Sequence, residues 1–440
     1  MLQKLKIFAK NIINNNDFRI TTESIIIKGI GLVLSFVLNI ILVKNLGHED
    51  YGRYIYFFSL INFFSMVSIF GMDKTTLRYL SRYYISKDFA NLNSVLKKTV
   101  TFVLFSSLLI SFLILFTIIL FYKYFSIQFS LIMISILFIP IKSLSDIYTT
   151  AIRAIGKIRL HLLINVIIKP LSLIIIITFL TNLIDANLGS FDIFIYMAII
   201  NTLIIIFFIF NINKTLSKIK FELKNKKITK TIEVSFYLFF IQTISLFNTN
   251  IDNISLNYFT DLTQVSFFAV ATKLSLLVGF SLNAMNIYLA PTISNLFFTN
   301  NFIELQNKLS FVARINLVFI FISTLAITIF GEFFLRLFGE TMVEAYIVSL
   351  ILSFGSIFHL CCGSVTYILI MTKFEKIAAA IFATSTFFNI FLNLMLIPLY
   401  GIVGCAIATT LSLIINNILS ASFIIKKLKI NPTVFSLIKC

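Results

Sequence analysis

Long apolar stretches separated by short polar breaks run the length of the chain, at 25–45, 52–72, 98–121, 129–152, 158–180, 192–213, 232–258, 262–290, 310–331, 344–370, 376–398 and 402–425. Each has about 20 residues or more, enough for a helix to cross the hydrocarbon core of a bilayer. The breaks carry the Lys, Asn, Asp and Gly residues that a lipid core would reject. The pattern predicts an all-α integral membrane protein of twelve transmembrane helices, with little chain left for a soluble domain.

The lysine-rich break at 214–230 falls between the sixth and seventh stretches and divides them into equal sets. The expected organisation is an N-terminal six-helix lobe (1–213), a basic cytoplasmic linker (214–230) and a C-terminal six-helix lobe (231–440). Comparing the halves at an offset of about 215 gives weak self-similarity, with Tyr51-Gly52-Arg53-Tyr54 opposite Val265-Ser266-Phe267-Phe268. An even number of helices per repeat makes the repeat parallel. Transporters built in that way bind substrate between lobes and work by alternating access.

Composition agrees with the pattern: 59% of residues are hydrophobic and the mean hydropathy is +0.99, values that suit lipid as the solvent. The formal net charge of +18 then needs a membrane reading. With the N-terminus placed in the cytoplasm, 28 of the 36 Lys and Arg residues fall in cytoplasmic segments and Lys44, Arg53, Lys123 and Arg336 fall on the opposite side. This satisfies the positive-inside rule and puts both termini in the cytoplasm. The basic residues form short juxtamembrane clusters suited to anionic headgroups, which argues against nucleic acid as a partner. The 24 residues before the first stretch are basic and Asn-rich and precede an apolar run too long for a signal peptide, so they are expected to be a cytoplasmic lead-in. With no Trp in the chain, tyrosines such as Tyr51, Tyr54, Tyr122 and Tyr124 supply the interfacial belt.

Several chemistries are disfavoured. Cys361, Cys362, Cys405 and Cys440 have no metal-ligand spacing and three lie within predicted spans, so neither a disulfide nor a metal site is expected. No phosphate-binding G-x-x-x-x-G-K-[ST] occurs, so the chain carries no P-loop ATPase of its own. The non-cytoplasmic breaks are short turns, whereas a membrane glycosyltransferase or polymerase is expected to place a sizeable catalytic loop there. The chain is not expected to be an enzyme or to hold a cofactor. Coupling to a proton or sodium gradient stays open.

A family resemblance rests on specific stretches. NIFLNLMLIPLYGIVGCAIATTLS (Asn389 to Ser412) resembles the span 11/12 signature of bacterial polysaccharide transporters of the Wzx type, the O-antigen flippases of the MATE-like MOP superfamily. Matching order is found in FFAVATKLSLL (Phe267 to Leu277) followed by Pro291, in FGEFFLRLFGE before AYIVSLIL (Phe330 to Leu352), and in LGHEDYGRYIYFFSLINFF (Leu46 to Phe64). The resemblance covers essentially the whole chain. It implies a MATE-like fold of two lobes around a central cavity in the bacterial inner membrane. It also implies translocation of undecaprenyl-pyrophosphate-linked oligosaccharide from the cytoplasmic to the periplasmic leaflet, for O-antigen, capsule or another surface polymer. Membrane lipids and other polysaccharide assembly proteins are the expected partners. In LYGIVGCA, Gly401 permits a tight turn while Gly404 and Ala406 allow close helix approach.

Ionisable residues within the spans carry the site expectations, because each costs roughly 2.5 kcal/mol or more at mid-depth unless it meets a cavity or a partner. Lys142, Lys169 and Lys273 all lie roughly 15–20 Å into their helices. Together they are candidates for a cationic patch that holds a pyrophosphate as point charges. Each has a competing structural reading. Lys142 has Asp146 one helical turn away, and Lys169 precedes Pro170, which frees a backbone carbonyl. Lys273 has no carboxylate in register on its own helix. Lys28 either snorkels to the cytoplasmic interface or lines the entry mouth. Arg78 and Arg82, on an expected helical extension of span two (73–98), contact lipid phosphates or gate the cytoplasmic mouth. Asp252 with Asn248 is the candidate ion-coupling pair, against a purely structural hydrogen bond. His359, Asn389 and Asn393 are expected to be structural. Drug or cation efflux, the alternative within the same fold, would need acidic cavity residues, and lysine dominance argues against it.

Overall fold

A computed structural model describes residues 16–120, 129–183, 188–216, 250–372 and 374–437. Among them every regular element is helical. In chain order they are α1 (Asn16–Ile69), α2 (Met72–Ile85), α3 (Phe89–Leu120) and α4 (Phe129–Ala154), then α5, which joins Ile158–Leu162, a π-helical turn Leu163–Ile168 and Lys169–Leu183. They continue as α6 (Ser190–Leu216), α7 (from residue 250 to 259), α8 (Leu262–Phe298), α9 (Phe302–Arg336), α10 (Tyr346–Cys362), α11 (Val365–Met371) and α12 (Glu375–Leu428).

Nine helices among the described residues are long and apolar enough to cross a membrane. Two of these, of 44 and 53 residues, are each about twice the length of one crossing. Both bend at a glycine whose dihedral angles leave the helical region: Gly47 (φ 73°, ψ 175°) in α1 and Gly401 (φ 55°, ψ −132°) in α12. Each therefore supplies two crossings, which is consistent with twelve once the expected span at 232–258, described only from residue 250, is added. Long outward faces of bare hydrocarbon, such as Phe105, Phe112 and Ile119 on α3 and Phe321 and Ile329 on α9, fit lipid as their solvent.

Two expected spans and one expected extension have different internal structure. The stretch 73–98 is not an extension of span two. The chain turns at Phe70 (φ 49°) and Gly71 (φ 69°), where the Phe70 amide closes onto the Met66 and Val67 carbonyls, and α2 starts as a separate helix. A second turn at Lys87 (φ 55°) then leads into α3. The expected span 344–370 is two helices, because Gly363 (φ 72°) separates α10 from α11. The expected span 158–180 is wound as a π-helix ahead of Pro170. Proline has no amide to donate, and the Lys169 amide reaches the Ile164 carbonyl five residues back, accommodating the ring without ending the helix.

The chain forms two compact units, one of Ile26–Leu46 with Phe57–Leu246, the other of Met1–Ile25, Gly47–Tyr56 and Phe247–Cys440. In the first, α1, α3 and α4 meet at buried Ile69, Val103 and Ile147. Hydroxyls tie the same helices, with Ser65 and Ser143 3.0 Å apart in the buried interior. Gly31 lies so close to Val166 in the π-helical turn that an added Cβ would overlap the valine side chain and carbonyl. In the second unit, α8, α9, α11 and α12 bury one cluster that includes Leu289, Ile293, Leu309, Val365, Ile368 and Ile424. The Gly47–Tyr56 segment packs on this unit: Gly52 abuts the Leu262 carbonyl, and the His48 ring meets Phe267 edge-on and Thr341 by a hydrogen bond. Gly401 and Gly404 behave as the sequence suggests, since a Cβ on Gly404 would overlap the Leu396 carbonyl and Ala406 is fully buried.

Candidate functional site

In the first unit Lys142, Asp146 and Lys169 come together on α4 and α5. Lys142 Nζ lies 3.0 Å from Asp146 Oδ2, an i, i+4 ion pair whose side chains are 21% and 35% exposed. Lys169 donates to Ser145 Oγ at 3.3 Å and interacts electrostatically with both Asp146 and Lys142. It does not use the carbonyl freed by Pro170. The π-helical turn directly before it changes the register of α5 and carries its ammonium to α4. His161 completes the group, its Nδ1 2.9 Å from the Thr149 carbonyl. A carbonyl only accepts, so this ring nitrogen carries the proton, and Asn165 donates to the His161 carbonyl at 3.1 Å. His161 is within electrostatic range of Asp146, Lys169 and Arg153.

Lys28 is exposed on α1 and within electrostatic range of Arg153. Arg78 lies on α2, and its side chain is outside the described residues. In the second unit, Lys273 is half-buried on α8 and makes no hydrogen bond or ion pair among the described residues.

The buried carboxylate of Asp252 on α7 accepts from Asn393 Nδ2 at 2.8 Å and from Thr409 Oγ1 at 2.8 Å. Asn393 Nδ2 also reaches Asn389 Oδ1 at 3.2 Å, and Asn389 bonds Ser412 Oγ at 3.4 Å. The Asn393 Oδ1 atom is buried with no hydrogen-bond partner among the described residues. Asp252 is thus ringed by neutral donors. Its expected companion Asn248 lies outside the described residues; the partners among the described residues are Asn393 and Thr409. His359 is structural in form, its Nδ1 2.8 Å from Asn417 Oδ1.

Residues the sequence reading missed are Ser145, His161 and Asn165 in one unit and Thr409 and Ser412 in the other. A signal existed for the last two. Asn393 and Thr409 lie eight residues either side of Gly401, and a helical hairpin folded at that glycine sets such positions opposite each other. No comparable signal marks His161, which meets α4 only because α5 packs there.

The family model described as polysaccharide biosynthesis protein matches residues 21–297, more than half of the chain. The chain belongs to this family. No functionally curated protein matches it. Among solved structures it is similar to an inward-facing multidrug resistance MATE family transporter of the MOP superfamily, with 13% identity, a TM-score of 0.70, and 93% of this chain and 96% of that one covered. It is also similar to the lipid II flippase MurJ in an inward closed conformation, at 17% identity and TM-score 0.65, covering 92% of this chain and 87% of that one. A third is a MOP superfamily transporter from Pyrococcus furiosus, at 10% identity and TM-score 0.67, covering 93% and 95%. That protein is described by a reverse polarity of its binding pocket that suggests a different function. At these identities the likeness establishes the fold, and this member of the polysaccharide biosynthesis protein family is a multi-pass membrane protein of MATE-like architecture.

Proposed function

We propose that this chain is a flippase that moves an undecaprenyl-pyrophosphate-linked oligosaccharide from the cytoplasmic to the periplasmic leaflet by alternating access, in the bacterial inner membrane with both termini cytoplasmic. The observation that carries the reading is an excess of ammonium groups within the spans. Lys142 and Lys169 share Asp146, and Lys273 has no carboxylate among the described residues. Uncompensated cations at that depth are costly, and an anionic cargo is what repays them. The family's description as polysaccharide biosynthesis proteins and the likeness to a lipid II flippase support a sugar on a lipid diphosphate as that cargo. Halves 1–213 and 231–440, joined by the basic segment 214–230, serve as the moving lobes.

An ion site at Asp252 supplies the coupling. A buried carboxylate with only neutral donors around it favours a proton or a sodium ion, and the oxygens of Asp252, Asn389, Asn393 and Thr409 offer the hard ligands sodium takes. Drug efflux predicts the reverse charge balance at the substrate.

The test is Lys273→Ala in the native host. Lipid-linked repeat units should accumulate with sugars facing the cytoplasm, and surface polymer should fall. Normal surface polymer in that variant, and in Lys142→Gln and Lys169→Gln, would refute the reading.

A further inference from the structure

We propose that Asp146 is a resident counter-ion: it holds the Lys142 and Lys169 ammonium groups until substrate arrives, and the lipid diphosphate displaces it. The inference rests on the reading of these lysines as the anion-binding groups. It adds the residue that an incoming anion must displace and that sets how tightly these lysines hold it.

The geometry makes Asp146 a competitor for substrate. Its carboxylate lies 3.0 Å from Lys142, and Lys169, bonded to the adjacent Ser145, is within its electrostatic range. Because Asp146 is one turn from Lys142 on the same helix, the pair forms whatever the neighbouring helices do. Any anion that binds these two lysines must take over the position Asp146 holds.

The pair is also built to exchange. With side chains 21% and 35% exposed, it is not a dry core pair whose separation would strand a charge. Lysine binds anions as a point charge without a fixed fork, so the trade is one of charge against charge. Thr149 and Thr150 hydroxyls bond the Asp146 backbone carbonyl, and among the described residues no hydroxyl donates to its carboxylate. In its paired position the carboxylate is also within electrostatic range of His161, which in turn feels Arg153. A carboxylate carries one negative charge. A diphosphate diester carries two over several oxygens and outcompetes it, and the cost of displacing Asp146 is the same for whichever anion takes its place.

The experiment uses the full-length protein in nanodiscs and measures the binding of undecaprenyl diphosphate and undecaprenyl phosphate. In Asp146→Asn both lipids should bind about fivefold more tightly, the fold-change that a partly exposed ion pair is worth, with the ratio of their affinities unchanged. Asp146→Glu should restore the weaker binding of wild type, which a merely structural aspartate would not require. Asp146→Ser replaces the asparagine variant if that protein is not monodisperse. Unchanged or weaker lipid binding in the variant, with both lipids lost in Lys142→Gln, overturns the counter-ion and leaves the lysine reading standing. Wild-type binding of both lipids by Lys142→Gln and Lys169→Gln overturns the lysine reading and the counter-ion with it.

Discussion

The Asn393 amide donates to the Asp252 carboxylate across 2.8 Å, joining α7 to the first limb of the α12 hairpin, while its own carbonyl oxygen is buried without a partner among the described residues. An amide that gives its hydrogens to a carboxylate and leaves its oxygen unused fits a site completed by a cation. Wild type in sodium chloride should therefore melt at a higher temperature than in an equal concentration of potassium chloride, by linkage to binding. Asp252→Asn should abolish the difference. Equal melting of the wild type in both salts, across the millimolar range, removes sodium as the ion.

Lys142 and Lys273 should respond oppositely to loss of charge. Lys142→Gln leaves Asp146 without its ion-pair partner and should destabilise by about 1 kcal/mol, and Asp146→Asn in the same protein should recover most of that loss in a double-mutant cycle. Lys273→Gln strands no carboxylate among the described residues. Its melting temperature should match or exceed that of wild type while transport falls.

Gly31 and Val166 are packed too closely for a side chain to enter. Gly31→Leu should cost about 1–3 kcal/mol through overpacking. Adding Val166→Ala should recover only part of it, because the Val166 carbonyl also lies 2.8 Å from where the Cβ would be. Thermal melting of the single and double variants in detergent checks both statements.

At the end of the chain, Gln306 clasps Asn431 with both ends of its amide, at 2.9 Å to the carbonyl and 2.8 Å from the amide nitrogen. Gln306→Ala removes both bonds and should cost about 1–2 kcal/mol of local stability. Limited proteolysis beyond Leu428 should become faster, with little change in the melting of the whole.

Much of this protein is readable from its residues. The spans follow from the length of the apolar runs, and the turn at Gly401 and the close approach at Gly404 follow from what glycine alone permits. Asp252, Asn389 and Asn393 stand out because polar groups are costly in lipid. Interruptions inside a span were harder to see: the turn at Phe70–Gly71, the break at Gly363 and the π-helical turn before Pro170 all sit within hydrophobic sequence, where hydropathy is blind to backbone geometry. The partners of the polar residues were also hidden, apart from the i, i+4 pairing of Lys142 with Asp146.

Sequence by itself determined that the chain lives in a membrane, roughly where it crosses, and how many charges it must shelter there, because transfer to hydrocarbon acts residue by residue. Tertiary structure decided which groups shelter them. Lys169 found Ser145 rather than its own helix's freed carbonyl, His161 joined α4 through the Thr149 carbonyl, and Asp252 met Asn393 and Thr409 rather than a cation on the protein. Those choices depend on helix rotation and on a shift of register such as the π-helical turn introduces, and contacts between residues distant in the chain fix both.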